Sequence, residues 1–127
     1  MSGYSNGRGV LVGSVNTTDA TQTTILSIPI PASTTTGVNG YVIARRTGGS
    51  AGSAEDGAYY RFEAVYKNAA GTPTSIGAVI TVVGESQAGW TLAAAVSGTN
   101  LLVQVVGAAN NNISWKLYDL RVHQVSA

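Results

Sequence analysis

Alternation of apolar and polar side chains is the feature that most limits what this chain can fold into. Between residues 58 and 67 the even positions are apolar and the odd positions mostly polar; the even set is Tyr60, Phe62, Ala64 and Tyr66. Successive side chains of a strand point to opposite faces, so this period predicts a strand with one buried and one solvated face. Seven further segments show related patterns, namely residues 9–16, 23–30, 38–46, 75–83, 90–97, 100–106 and 112–124.

Turn-forming residues separate these segments and favour an all-β fold. Asn39-Gly40, Ser97-Gly98 and Asn110-Asn111-Asn112 supply residues that tolerate positive φ. Residues 47–57 are the longest stretch without a strand pattern. Eight short strands with Gly-rich turns predict a single-domain antiparallel β-sandwich, jelly-roll-like in topology. We expect residues 1–16 to form an N-terminal arm with the first strand, and residues 17–127 to form the sandwich.

Two local irregularities constrain the strands further. Pro29 and Pro31 cannot donate ladder hydrogen bonds, so the segment 23–30 should lie at a sheet edge or end there. In the last segment the apolar phase changes from odd positions (Ile113, Trp115) to even ones (Leu120). Either a β-bulge near residues 117–119 or burial of both faces would produce that change.

Composition limits the function as well as the fold. The chain has 127 residues, a net charge of +1 and only 10% charged residues, against about 25% in ordinary domains. A nearly neutral chain has little electrostatic attraction for phosphates, which argues against nucleic-acid binding. No segment reaches the roughly 20 apolar residues of a membrane-spanning helix. The N-terminus lacks the apolar core of a signal peptide, so we expect synthesis in the cytoplasm without secretion.

Residues able to perform chemistry are few and scattered, and we expect no enzyme, no metal and no cofactor. His123 is the only histidine, and the sequence contains no cysteine. Glu55 and Asp56 are adjacent acids in the loop, where they form either a solvated tip or a weak calcium site. Arg45 and Arg46 end a strand and point to opposite faces, and one of them can pair with an acid of the loop. These four residues form a possible loop contact site.

The large apolar side chains predict the core. Trp90 and Trp115 lie in phase with apolar neighbours, which favours burial over an exposed role in stacking on a sugar ring. The predicted core residues are Phe62, Tyr60, Trp90, Trp115, Leu92 and Ile80. Small, weakly polar side chains elsewhere leave surfaces suited to contact between copies, so we expect a homo-oligomer.

Five stretches resemble a β-rich domain of tailed-bacteriophage virion proteins: residues 45–52, 56–58, 87–90, 96–100 and 106–115. That family includes capsid-decoration and head-fibre domains and the tip domains of tail fibres. The resemblance implies a structural or adhesive role, usually as a trimer, with no shared catalytic residues.

For a short chain that begins with Met and has no shaft repeat, this resemblance predicts a decoration or cement protein. We expect it to be a trimer on the outer surface of the capsid. Its partners would be the major capsid protein or other virion proteins. The alternative is a tail-fibre or receptor-binding module that recognises host glycans.

Overall fold

Eight antiparallel strands make up the computed structural model, which describes residues 8–127. They are β1 (Leu11–Thr17), β2 (Thr23–Pro29), β3 (Thr34–Gly49), β4 (Gly57–Asn68), β5 (Thr74–Glu85), β6 (Thr91–Ser97), β7 (Asn100–Val106) and β8 (Asn111–Ser126). The predicted all-β sandwich is confirmed. Among the described residues there is no helix of the length and hydropathy that crossing a membrane requires.

The strands form two sheets. The larger has the order β1-β8-β3-β4-β5, and the smaller has the order β2-β7-β6. β2 is therefore an edge strand that ends at Pro29, as the missing N–H of proline predicts. Residues 1–7 of the predicted arm lie outside the described residues, whereas β1 pairs with β8 inside the larger sheet.

Aromatic side chains fill the space between the sheets. Trp90 and Trp115 lie with ring centroids 5.8 Å apart, and Tyr60 stacks on Trp115 at 6.4 Å. Both tryptophans, Tyr60, Phe62 and Leu92 are buried. The indole Nε1 of Trp115 donates a hydrogen bond to Thr17 Oγ1 at 2.9 Å, which satisfies the one polar atom of that ring.

Ile80, one of the predicted core residues, packs against the core but is only partly buried. It lies on the inner face of β5, opposite Phe62 of β4. β5 is the edge strand of the larger sheet, and its side chains on both faces are largely exposed. Alternation along a strand reports which residues share a face, but it does not report whether a second sheet covers that face.

A β-bulge explains the change of apolar phase in β8. Tyr118 pairs with Tyr41 and Arg121 with Asn39, so β8 has one residue more than β3 between these pairs. Asp119 takes a φ of 55° there. Its Oδ1 accepts the amide of Val10 at 2.7 Å, and its own amide donates to the carbonyl of Val10 at 2.9 Å. The bulge thus connects β8 to the chain that leads into β1.

Substitutions of Asp119 should show how much its side-chain acceptor and its tolerance of positive φ contribute to stability. Asp119→Asn keeps an acceptor and tolerates positive φ, so we expect a change below about 0.5 kcal/mol in the free energy of unfolding. Asp119→Ala removes the acceptor and strains the backbone, so we expect a loss of about 1–3 kcal/mol. Urea denaturation measures both. Equal stability of the two variants would contradict a structural role for this carboxylate.

Asn39-Gly40 forms no turn, contrary to the prediction from its residue types. Both residues lie within β3, and the bulge of β8 lies opposite Gly40. A Cβ at Gly40 would come within 3.0 Å of the Phe62 ring. The glycine is therefore used for close packing against an aromatic side chain, not for chain reversal.

Candidate functional site

The end of β3 and the loop that leads to β4 contain the four residues of the predicted contact site. The backbone amide of Arg46 donates to the carbonyl of Asp56 at 2.8 Å, but the side chains of these two residues bond to other groups. β3 continues to Gly49, so the irregular segment covers only residues 50–56. Arg46 Nε donates to the carbonyl of Ala51 at 2.9 Å, and its Nη2 donates to that of Gly49 at 2.6 Å. Arg46 thus holds the loop backbone, whereas Arg45 is exposed on the opposite face of the strand.

Asp56 also has a structural role inside this loop. Its side chain is buried, and Oδ2 accepts hydrogen bonds from the amide of Ser53 at 2.8 Å and from Nε2 of Gln87 at 2.9 Å. Its neighbour Glu55 is exposed, with a φ of 76°. Residues 8–127 contain no group of three or more His, Cys, Asp or Glu side chains that could hold a metal ion.

Contacts of this loop join most of the stretches that carry the family resemblance. Ala51 donates its amide to the carbonyl of Asn110 at 2.9 Å, which connects residues 45–52 with residues 106–115. The hydrogen bond between Gln87 and Asp56 connects residues 87–90 with residues 56–58. Four of the five stretches therefore meet at one end of the sandwich, where their polar residues organise the backbone.

A buried polar contact lies between the edge strand β5 and the core. Tyr60 Oη lies 2.8 Å from Glu85 Oε2 and 3.2 Å from the carbonyl oxygen of Trp90. Burial raises the pKa of the Tyr60 hydroxyl far above its ordinary value, and the neighbouring Glu85 raises it further. The hydroxyl is thus held protonated, and its role here is to donate a hydrogen bond.

The outer face of the larger sheet carries most of the basic residues, which the sequence did not reveal. This face points away from the smaller sheet, because its residues alternate with buried ones. Five of the seven Lys and Arg residues lie on it, all exposed: Arg45, Arg61, Lys67, Lys116 and Arg121. Glu63 is the one acid within the same rows of β3, β4 and β8. The Asp119 bulge places Arg121 on the face of Lys116 although their positions differ in parity.

Three tyrosines form a groove on this outer face. The rings of Tyr41 and Tyr59 stack with centroids 5.9 Å apart and an angle of 12° between their planes. Together with Tyr118, Leu11 and Arg8 they line a groove of about 630 Å³. His123 lies on the same face towards the end of β8, opposite Gly37, and it is exposed. It does not belong to a group of potential metal ligands, since residues 8–127 contain none.

The edge strand β5 has more exposed large apolar side chains than any other strand among residues 8–127. Four of its large side chains are between 50% and 59% exposed: Ile76, Val79, Val82 and Val83. Over its 12 residues the strand carries one charged side chain, Glu85, at its end. Its hydrogen-bonding groups pair with β4 on one side only, because β5 ends the sheet.

Comparisons with known proteins return one structural similarity. No family model and no curated protein matches this chain. Among solved structures it is similar to the tailspike protein of Acinetobacter phage vB_ApiP_P1, at 18% sequence identity and a TM-score of 0.38. The similarity covers 93% of this chain, which spans 21% of the length of that tailspike chain.

Proposed function

We propose that this chain is a structural, non-enzymatic domain of a bacteriophage virion that associates with copies of itself through the edges of its larger sheet. The sequence resemblance supports the virion setting. The observation that carries the self-association is β5, whose apolar side chains are exposed on both faces. Natural proteins protect such edges with Lys, Pro, bulges or a covering element. β5 contains two bulged positions, yet it carries no Lys and no internal Pro.

The opposite edge of the same sheet supplies a second surface of similar character. Val10, Leu11 and Val12 are exposed there, and the C-terminal half of β8 extends beyond the last residue that pairs with β1. Two different apolar edges on opposite sides of one protomer suit a head-to-tail contact. Repetition of that contact closes a ring when the rotation permits, and a trimer is the smallest such ring. We propose a homotrimer built in this way.

The proposed location is the exterior of the capsid, where trimers would act as a decoration or cement protein bound to the major capsid protein. Many modest contacts on a repeating shell would add through multivalency. A receptor-binding module on a tail is the second candidate, which the tyrosine groove favours because exposed aromatic rings are common at binding sites. Labelling of intact virions with an antibody against this chain separates the two locations. Signal at the tail alone would contradict decoration.

A charge placed on β5 tests the self-association directly. We expect the wild-type chain to have the mass of a trimer in sedimentation, and Val79→Lys to convert it to a monomer at micromolar concentration. Val79 is 58% exposed and faces away from the core, so the substitution should leave the fold intact. Lysine on an edge strand opposes pairing with a second chain.

Thr91→Lys is the matched control, because it adds the same charge at an exposed position of β6. It should remain trimeric. A wild-type chain that is monomeric at every concentration, or a control that dissociates as readily as Val79→Lys, would contradict association through β5. Near-ultraviolet circular dichroism of the buried tryptophans verifies folding in each variant.

A further inference from the structure

The five basic residues of the outer face follow a regular order along the strands. We define a row as one outward-facing residue of β3 together with its paired residues on β4 and β8. The rows of β3 residues 45, 43, 41, 39 and 35 contain, in that order, Arg45, Lys116, Arg61, Arg121 and Lys67. His123 occupies the remaining row, that of residue 37. We call the five residues the basic track. Every row therefore contains one basic residue or the histidine.

The dimensions of the basic track fit an extended chain. Alternate residues of a strand are about 6.8 Å apart, so six rows span about 34 Å, and the three strands involved cover about 10 Å in width. A single small anion would contact only one row. A ligand that met every row would be a linear polymer with repeated negative charges.

Charge is separated between this face and the rest of the molecule. The basic track and Glu63 give the rows a net charge of +4, whereas the whole chain has a net charge of +1. Arg8 and Asp119 both line the tyrosine groove on this face, and their charges cancel. The remaining charged residues, Asp19, Glu55, Asp56, Glu85 and Arg46, lie elsewhere and sum to −3. The attraction for a polyanion is thus local, because the molecule as a whole is nearly neutral.

Tyrosines occupy the middle of the basic track. Tyr41 shares a row with Arg61, and Tyr59 shares a row with Lys116. Their rings are nearly parallel, with centroids 5.9 Å apart. Nucleic-acid-binding surfaces combine aromatic rings with a strongly basic charge overall, whereas this chain has a net charge of only +1. Stacked rings, phenolic hydroxyls and spaced cations suit a saccharide chain that carries carboxylates.

We propose that the basic track binds a linear acidic polysaccharide. This inference goes beyond self-association, since the track lies on a sheet face and the association uses sheet edges. If the chain is a receptor-binding module, this inference restricts its ligands to acidic saccharides. The arrangement of basic residues does not depend on that candidate function. Each contact is an exposed ion pair and is individually weak, so affinity would come from several rows together.

Polygalacturonate, which carries one carboxylate per sugar, is a suitable probe, and its methyl ester is a neutral control with the same backbone. In calcium-free buffer at low salt, we expect titration calorimetry to show binding of the first and not of the second. Raising the salt to 0.5 M should abolish binding, because exposed ion pairs are screened. Arg61→Gln with Lys116→Gln should weaken binding roughly fivefold or more.

Thr91→Glu with Ser97→Glu is the matched control, since it changes the net charge equally on the smaller sheet. It should bind as the wild type does. Equal weakening in this control, or no binding of polygalacturonate at low salt, would overturn the proposal. Tighter binding of a single-stranded poly-dT would overturn it in favour of nucleic acid. Binding of the methyl ester would contradict acidic specificity while leaving the receptor-binding candidate intact.

Discussion

Trp115→Ala is expected to destabilise the fold more than any other side-chain truncation among residues 8–127. Trp115 is fully buried, and its ring contacts both Tyr60 and Trp90. Replacement of a buried Trp by Ala typically reduces the free energy of unfolding by about 3–5 kcal/mol, because apolar contacts are lost and a cavity remains. Since total stability of a domain is only about 5–15 kcal/mol, the variant should unfold at a far lower urea concentration.

Two comparisons separate the contributions of this side chain. Thr17→Val removes the acceptor of the indole N–H while nearly preserving volume, so it should destabilise by about 1–3 kcal/mol through one unsatisfied donor. Ile76→Ala truncates an exposed side chain on β5 and should have an effect below about 0.5 kcal/mol on the protomer. If Trp115→Ala changed stability no more than Ile76→Ala, Trp115 would not be the centre of the core.

Sequence periodicity was sufficient to predict the strands and the inward face of most of them. The burial of Tyr60, Phe62 and Trp115 could be predicted because alternation reflects the pleat of the backbone, which is a local property of a strand. The bulge at Asp119 was also detectable, since an extra residue changes the phase of the pattern. The edge position of β2 followed from the missing N–H of Pro29.

Properties that depend on strand order could not be predicted in the same way. Ile80 has the pattern of a core residue, but β5 lies at a sheet edge, and only the order of strands determines that. The basic track arises from β3, β4 and β8, so it exists only in their mutual register. Alternation along β8 does not reveal the basic track either, because the extra residue of the bulge puts the even-numbered Lys116 and the odd-numbered Arg121 on the same face. The side-chain partners of Arg46 and Asp56 could not be predicted either, because they are backbone groups and Gln87 that only the folded loop brings near them.

Gly49→Ala is the backbone change with the largest expected effect. Gly49 has a φ of 103°, and a Cβ there would clash with the carbonyl oxygen of Asn110. That carbonyl also accepts the amide of Ala51, so it cannot move without loss of the contact that holds the loop. Strained backbone costs about 1–3 kcal/mol and a forced displacement a similar amount, so we expect destabilisation of about 2–5 kcal/mol.

Gly84→Ala is the matched control for this backbone effect. A Cβ at Gly84 would meet no atom within 4 Å, and the residue does not have a positive φ. Alanine there should leave stability unchanged within about 0.5 kcal/mol. Hydrogen exchange should also show faster exchange of the Ala51 amide in Gly49→Ala than in the control. If Gly49→Ala kept both its stability and the slow exchange of the Ala51 amide, the contact between residues 45–52 and 106–115 would not depend on the close approach of Gly49 to Asn110.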